Sequence, residues 1–586
     1  MKNFFQMLLA SVLGGIIIVI VCFFLFVGFI NALVSFQPNP VEVKPNSILK
    51  ISLNKNIVDK SSNDPFEGFD LFSLSIQTSI GLNDILKSID RAKHDSYIKG
   101  IYLDLNDVMA QPATAEEIRR AIASFRESGK FVISYADYYS QLGYYLATAA
   151  DKIYLNPFGD FGLYGMRSEI MFYKNLLEKL GIDMQILRHG KFKSAVEPFM
   201  LDKMSPENRE QIMAFMGSIW DHILQTISLA RGISIDELNR IADKLELSTA
   251  DNAKAKGFVD DLMYKDEIIA ELCKYTEKKS EKDLNIIGIS EYKRAPDKMA
   301  KYSKNKIAVI YAEGEITQGE GSSGIKSDET SRAIRTARND SSVKAIVFRV
   351  NSPGGDALAS EVIARELELA KQSKPVVVSM GNLAASGGYW ISTPGDIIFA
   401  NHTTITGSIG VFGQVPNIQK GLKEIVGITI DVAKTNAHAD MMTIYRPLEP
   451  VEKEHILRTI ENIYDKFISK VSGFRGIPKD SVDNIGQGRV WSGDNASALG
   501  LVDRFGGLND AISHAVMLSG VSEYKIMELP QTKSTFDQLM DIMSTKIKGQ
   551  FNKGEIERTF ERYNYILKVL ERPCIQARLP YDVILY

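Results

Sequence analysis

Hydrophobic and polar positions alternate at the start of two long stretches of this chain. Ile48-Leu49-Lys50-Ile51-Ser52-Leu53 opens one, and Ile307-Ala308-Val309-Ile310 opens the other. A polar segment of helical character follows each, ending near Asp95 or Asp340. Next comes a strand pattern, Ile98 to Leu105 or Val343 to Val350. A second helical segment leads to the apolar runs Phe131-Val132-Ile133 and Val376-Val377-Val378. Lys152-Ile153-Tyr154-Leu155 and Ile397-Ile398-Phe399-Ala400 read as further strands, and Ile286-Ile287 and Ile526-Met527 as closing ones. Strands that alternate with helical patterns predict βαβ units on parallel sheets.

The two stretches are one module written twice. Lys99 pairs with Lys344, Asp151 with Asp396, Asn156 with Asn401, Gly162 with Gly407 and Gly165 with Gly410, each 245 positions apart (344 − 99 = 245; 410 − 165 = 245). Arg231-Gly232-Ile233 returns as Arg475-Gly476-Ile477. A fixed period of this kind sets the architecture. It predicts tandem α/β domains over residues 47–290 (copy 1) and 306–530 (copy 2), the second followed by an extension, 531–586, helical to about Leu570 and extended beyond.

Ahead of copy 1, residues 8–30 are uncharged and mostly apolar. A helix of about 20 such residues spans a bilayer. Nothing like Ala-x-Ala follows the run, so it predicts an uncleaved anchor rather than a removed leader. Lys2 and the amino terminus are the only positive charges before it, which places residues 1–7 in the cytoplasm and the rest of the chain across the membrane.

The 586 residues suffice for several domains with cores of their own. A net charge of −3 gives no electrostatic case for a nucleic-acid partner. Three cysteines are too few for a disulfide framework, although Cys273 and Cys574 could pair. No Cys/His spacing resembles a zinc site, so neither metal nor cofactor is expected.

The copies differ where chemistry could reside. Copy 2 has Asn351-Ser352-Pro353-Gly354-Gly355 and Ala384-Ala385-Ser386-Gly387-Gly388, where copy 1 has Asn106-Asp107-Val108-Met109-Ala110 and Tyr139-Ser140-Gln141-Leu142-Gly143. Ser386 has the small neighbours that an exposed nucleophile needs, and tight packing at a helix start would use the same residues. Adjacent glycines after a strand can aim backbone N–H groups at one point, as an oxyanion hole requires, or can simply make a turn. Lys193 of copy 1 has no lysine at its counterpart, near Ala437 to Asp440. Its neighbours Phe192, Ala195, Val196 and Phe199 are apolar, and burial would favour the neutral amine that can act as a base. Lys191 competes for that role. A serine activated by lysine is a known form of the triad logic. Each copy keeps what the other lacks, which points to one site shared between them.

Together, Ala385-Ser386-Gly387-Gly388-Tyr389-Trp390, Asn351-Ser352-Pro353-Gly354-Gly355 and Lys193-Ser194-Ala195-Val196-Glu197-Pro198-Phe199 resemble the signal peptide peptidase A (protease IV) family, in its long duplicated bacterial form. The resemblance covers both copies and the anchor. It implies two tandem ClpP/crotonase-like domains, Ser386 as nucleophile, Lys193 as general base, and backbone N–H groups of Gly355 and Gly387 as the oxyanion hole. It implies remnant signal peptides as substrates, a homotetramer, and an inner-membrane protein with its catalytic domains outside the cytoplasm. Leu383, Tyr389 and Trp390, beside Ser386, are candidates for a hydrophobic substrate groove. Asp356 departs from the small residue often seen after the glycine pair, and residues 580–586 have no assigned role. The competing functions are a crotonase-type acyl-CoA enzyme, which needs neither serine nor anchor, and an inactive membrane scaffold.

Overall fold

The computed structural model describes residues 41–61, 79–296, 303–321, 324–530 and 575–578, with isolated positions in 13–28 and 69–76. The expected anchor lies largely outside the described residues, among which no helix is long and apolar enough to cross a membrane. The expected helix before Leu570 lies outside them too.

Copy 1 builds a six-stranded sheet in the order Asp261–Leu262, Lys152–Phe161, Phe131–Tyr139, Ile98–Asp104, Ser47–Ser52, Asn285–Gly288. Every pairing in it is parallel. Copy 2 repeats the plan with Ile405–Gly407, Val376–Ala385, Val343–Ser352, Lys306–Glu313 and Lys525–Leu529, again parallel. Parallel strands need crossover connections, which the intervening helices supply. The closing strands follow the sequence expectation, with Ile286 beside Ile48 and Ile526 beside Ile307.

The repeat extends to the longest helices. Pro206–Arg231 and Pro450–Arg475 have 26 residues each and carry proline in the first turn. They end in Gly232 at φ 71° and Gly476 at φ 66°, left-handed caps that glycine adopts at least cost.

The copies do not fold as separate beads. Ile307, Val309, Val347 and Val377 of the second sheet pack into the core that copy 1 builds. Arg349, wholly buried on its strand, reaches Asp59 through Nε at 3.0 Å and Glu117 through Nη2 at 2.8 Å, and both carboxylates belong to copy 1. Loss of either partner from a buried ion pair costs about 3–5 kcal/mol, because the remaining charge stays desolvated. Asn382 and Thr114 add a reciprocal pair across the same junction.

A third sheet crosses the junction. Its order is Ile325–Lys326, Ile316–Thr317, Gly354–Asp356, Ile575–Arg578, Phe412–Asn417, Asp183–Arg188. The last strand comes from copy 1 and pairs with Phe412–Asn417 of copy 2 residue for residue. That pairing carries the following loop of copy 1 into copy 2.

Candidate active site

Ser386 stands between the strand Val376–Ala385 and the short helix Gly387–Ser392. Its backbone is at φ 58° and ψ −115°, a conformation that is costly for any residue with a side chain. The surrounding small residues make this turn possible. A Cβ on Gly388 would lie 2.6 Å from the Ser352 carbonyl oxygen, and one on Gly387 would lie 2.7 Å from Ser360 Oγ.

Lys193 arrives from copy 1. After Arg188 the chain turns at Gly190 (φ 83°), pressed against Gln487 of copy 2 so closely that a Cβ would meet its carbonyl oxygen at 2.6 Å. Phe192 N–H donates to that same carbonyl at 3.1 Å. Gln211, on the long copy 1 helix, then locks the loop. Its amide donates to Phe192 O at 3.0 Å and to Ser194 Oγ at 2.8 Å, and its oxygen accepts from Val490 N–H of copy 2 at 3.1 Å. Glu197, fully buried, accepts from Ser205 Oγ and from Asn208 Nδ2 at 2.9 Å. The Lys193 side chain passes two glycines of copy 2. A Cβ on Gly488 would come within 2.6 Å of Lys193 Cβ, and one on Gly410 within 3.3 Å of its Cδ.

At the end of that path Lys193 Nζ lies 2.7 Å from Ser386 Oγ. It donates to Ser408 O at 3.1 Å and Ser408 Oγ at 3.0 Å. Both Lys193 and Ser386 have no solvent exposure. Desolvation holds the Lys193 ammonium well below the ordinary lysine value. A neutral amine that donates to both Ser408 oxygens would keep its lone pair free for the Ser386 hydroxyl. Lys191 is exposed, so the geometry brings in Lys193 and leaves Lys191 in solvent.

The glycine pair lies against Gly387, the residue after Ser386. Gly354 is at φ 101° and Gly355 at φ 156°. A Cβ on Gly387 would sit 3.2 Å from Gly355 N, and one on Gly354 would sit 2.8 Å from Gly387 N. Asp356 caps the next helix by accepting from Ala359 N–H at 2.7 Å, a local reason for a carboxylate after the pair.

The three groove candidates separate. Tyr389 is fully buried in the copy 2 core and donates its hydroxyl to Leu501 O at 3.0 Å, so it lines no groove. Trp390, 2% exposed, stacks on Phe467 and borders a cavity of about 850 Å³ with Leu358 and Phe474. Leu383 is half-buried, and its N–H donates to Asn351 Oδ1 at 3.1 Å. Ser408 was not singled out from sequence. The signal was there, since Gly407-Ser408 of copy 2 stands where copy 1 has Gly162-Leu163.

A hydroxyl on a strained turn, a buried amine of lowered pKa within hydrogen-bond reach and adjoining glycine backbone are parts that an acyl-transfer hydrolase working through a covalent serine intermediate uses. Comparison with known proteins agrees. Peptidase family S49 matches residues 124–279 and again 368–522. Protease 4 of Salmonella typhi is 39% identical over 479 residues, covering 80% of this chain and 77% of that protein. Protease 4 of Haemophilus influenzae is 38% identical over 455 residues, covering 76% and 74%. The chloroplastic serine protease SPPA of Arabidopsis thaliana is 30% identical over 510 residues, covering 86% and 73%. The chain belongs to peptidase family S49 and is a serine protease.

Proposed function

We propose that the chain is a membrane-anchored endopeptidase that degrades remnant signal peptides, with Ser386 as nucleophile and Lys193 as general base. The observation that carries this reading is the 2.7 Å approach of Lys193 Nζ to Ser386 Oγ, between residues 193 positions apart and on different copies. The neutral amine takes the Ser386 proton as Oγ attacks the scissile carbonyl carbon. The oxyanion is stabilised by N–H groups of Gly355 and Gly387. Lys193 returns the proton to the leaving amine, and water later attacks the acyl-serine by the same route. Ser408 holds the amine in line.

The apolar run at 8–30 supports a single-pass anchor in the inner membrane, which would hold the site near its apolar substrates. Domain limits of 47–290 and 306–530, ClpP/crotonase-like folds and a homotetramer belong to the same reading. The partner is an apolar peptide, without metal or cofactor.

Labelling with a fluorophosphonate tests the assignment. The reagent should attach to Ser386 in the wild type and fail to attach in Lys193→Ala. The wild type should also cleave a synthetic signal peptide presented in detergent micelles. No adduct at Ser386 would remove the serine mechanism and return the crotonase or scaffold readings.

A further inference from the structure

A second group of side chains from both copies meets at the junction. His222, His402 and Asp494 each offer one ring nitrogen or carboxylate oxygen, and those atoms all lie within 4.8 Å of one another. His222 belongs to the long helix of copy 1, Pro206–Arg231. His402 follows the copy 2 strand Ile397–Ala400, and Asp494 stands in the first turn of the helix Gly493–Ala498. The three lie 180 and 92 positions apart (402 − 222 = 180; 494 − 402 = 92), so no local spacing announces them. The repeat does not reproduce them either. The offset of the long helices (450 − 206 = 244) puts Lys466 opposite His222, and the offset of 245 puts Pro157 opposite His402 (402 − 245 = 157). Each histidine thus stands in one copy alone, as Lys193 and Ser386 do.

The long helix brings His222 there by a ladder of contacts with copy 2. Gln211 Oε1 accepts from Val490 N–H at 3.1 Å, and two turns on Ser218 Oγ lies 2.7 Å from Ser492 Oγ. His222 comes next on that face, since spacings of seven and four keep to one side of a helix. On the copy 2 side Asp494 N–H donates to His402 O at 3.4 Å, and His402 Nδ1 lies 2.6 Å from Asp494 Oδ1. The His222 ring stacks on His402 at 4.5 Å and 13°, and His402 stacks on Phe505 at 3.9 Å. Glu116 of copy 1 is fixed beside them. It accepts from Thr403 N–H at 3.2 Å and Thr403 Oγ1 at 2.9 Å, and it lies 3.8 Å from His222 Nε2. Carboxylates placed next to imidazoles are usual in the outer shell of a metal site.

We infer that His222, His402 and Asp494 form a zinc site that clamps the two copies together. Two imidazoles and one carboxylate are donors that suit zinc, and all three side chains are partly exposed, so water can complete a tetrahedral set. The ion replaces the proton between His402 and Asp494, which leaves for solvent. Their 2.6 Å contact opens to the about 3.3 Å that ligand atoms keep around a tetrahedral zinc, and the stacked rings splay so that both lone pairs reach the ion. The ion takes no part in the chemistry at Ser386. It binds where the copies are docked, and so stabilises the docked chain by mass action. His438, Glu449 and Glu452 form the other such group among the described residues. There Glu452 is already committed, accepting from Arg446 Nη1 at 2.8 Å and Nη2 at 2.7 Å.

The test uses the full chain without a polyhistidine tag, stripped with EDTA and titrated with zinc chloride in a calorimeter. One zinc should bind per chain, and the protein should melt higher with zinc than with EDTA. His222→Ala, His402→Ala and Asp494→Ala should each weaken binding by about tenfold or more and abolish the melting shift. His438→Ala should bind zinc as the wild type does. Magnesium, which prefers an octahedral shell of oxygens, should leave the melting point where EDTA leaves it. If an alanine variant melts early even in EDTA, His222→Gln and Asp494→Asn keep the shape of the side chain and should show the same loss. Absence of zinc binding, equal binding by the wild type and the junction variants, loss of binding with His438→Ala alone, or an equal melting shift with magnesium would each overturn the inference.

Discussion

Ser386 sits at φ 58° and ψ −115°, while its counterpart 245 positions earlier, Gln141, opens the helix Gln141–Ala147 after an ordinary N-cap, Ser140. In copy 1 the Gln141 side chain fills the place. Its oxygen accepts from Tyr164 N–H at 2.8 Å and Gly165 N–H at 2.7 Å, and its amide donates to Gly165 O at 2.9 Å. The glycine pair with positive φ in copy 2 is Met109-Ala110 in copy 1, and neither of those residues has positive φ. Copy 1 has thus exchanged strain and open backbone for satisfied hydrogen bonds. Strain of about 1–3 kcal/mol per residue persists only where the surroundings impose it, and such residues cluster at functional sites. Under the proposed mechanism, copy 2 bears the nucleophile and copy 1 supplies the base.

The strongest way to break this comparison is to remove one group from each side. Ser386→Ala and Lys193→Ala should each lower kcat/KM on the order of 10⁴-fold or more, and the double variant should be no worse than either, because the pair acts as a unit. Additive losses would show two independent contributions. A smaller effect comes from the lysine path. Gly410→Ala places a Cβ 2.7 Å from Gly488 Cα and 3.3 Å from Lys193 Cδ. Displacing the amine by about 1 Å should cost about 100-fold in kcat. The counterpart Gly165→Ala meets nothing within 4 Å and carries only the strain of φ 89°, so it should melt earlier yet keep its turnover. Equal activity losses at the two glycines would erase the distinction between copies.

The pH dependence tests the base itself. Burial lowers the Lys193 value, so the neutral, active form accumulates as pH rises through the folded-state value. kcat/KM should rise through one ionisation that survives His189→Ala and His438→Ala. Loss of that ionisation with either histidine would make imidazole the base. Between the folded value and about 10.4 the unfolded chain binds one more proton, so Lys193 opposes folding there, and stability rises with pH across that window. Lys193→Met should therefore melt higher than the wild type at neutral pH while being inactive, and a lower melting point would argue that the lysine stabilises the site. The smallest effect belongs to Gln141→Ala, which should keep most turnover and lose about 1–3 kcal/mol of stability from unmet hydrogen bonds. Abolished turnover with intact assembly would give copy 1 a site of its own.

Much of this was legible in the chain because duplication supplies an internal control. The parallel pairing of the strands followed from βαβ patterning, and Lys193 and Ser386 stood out by their absence from the opposite copy. Tyr389 was misread, since adjacency to Ser386 says nothing about which side of a helix faces the core. Ser408 was missed because its one signal, a serine where copy 1 has Leu163, stands in a run that holds three other hydroxyls, Thr403, Thr404 and Thr406. The route of Lys193 between Gly410 and Gly488 could not be read either, because it depends on the cross-copy pairing of Asp183–Arg188 with Phe412–Asn417.

The separation of Lys193 from Ser386 also has a consequence in time. Ribosomes add about 5–20 residues per second, and domains fold in order of emergence. With 193 residues between the two groups, Lys193 leaves the ribosome about 10–40 s before Ser386 follows. Throughout that interval the lysine is solvated and protonated, because Gly410 and Gly488, which enclose it, have not yet been made. Under the proposed mechanism the nascent chain is therefore born without a working base. Proteolytic competence begins only when the second copy closes over the first, and an unfinished chain has no means of cutting its neighbours.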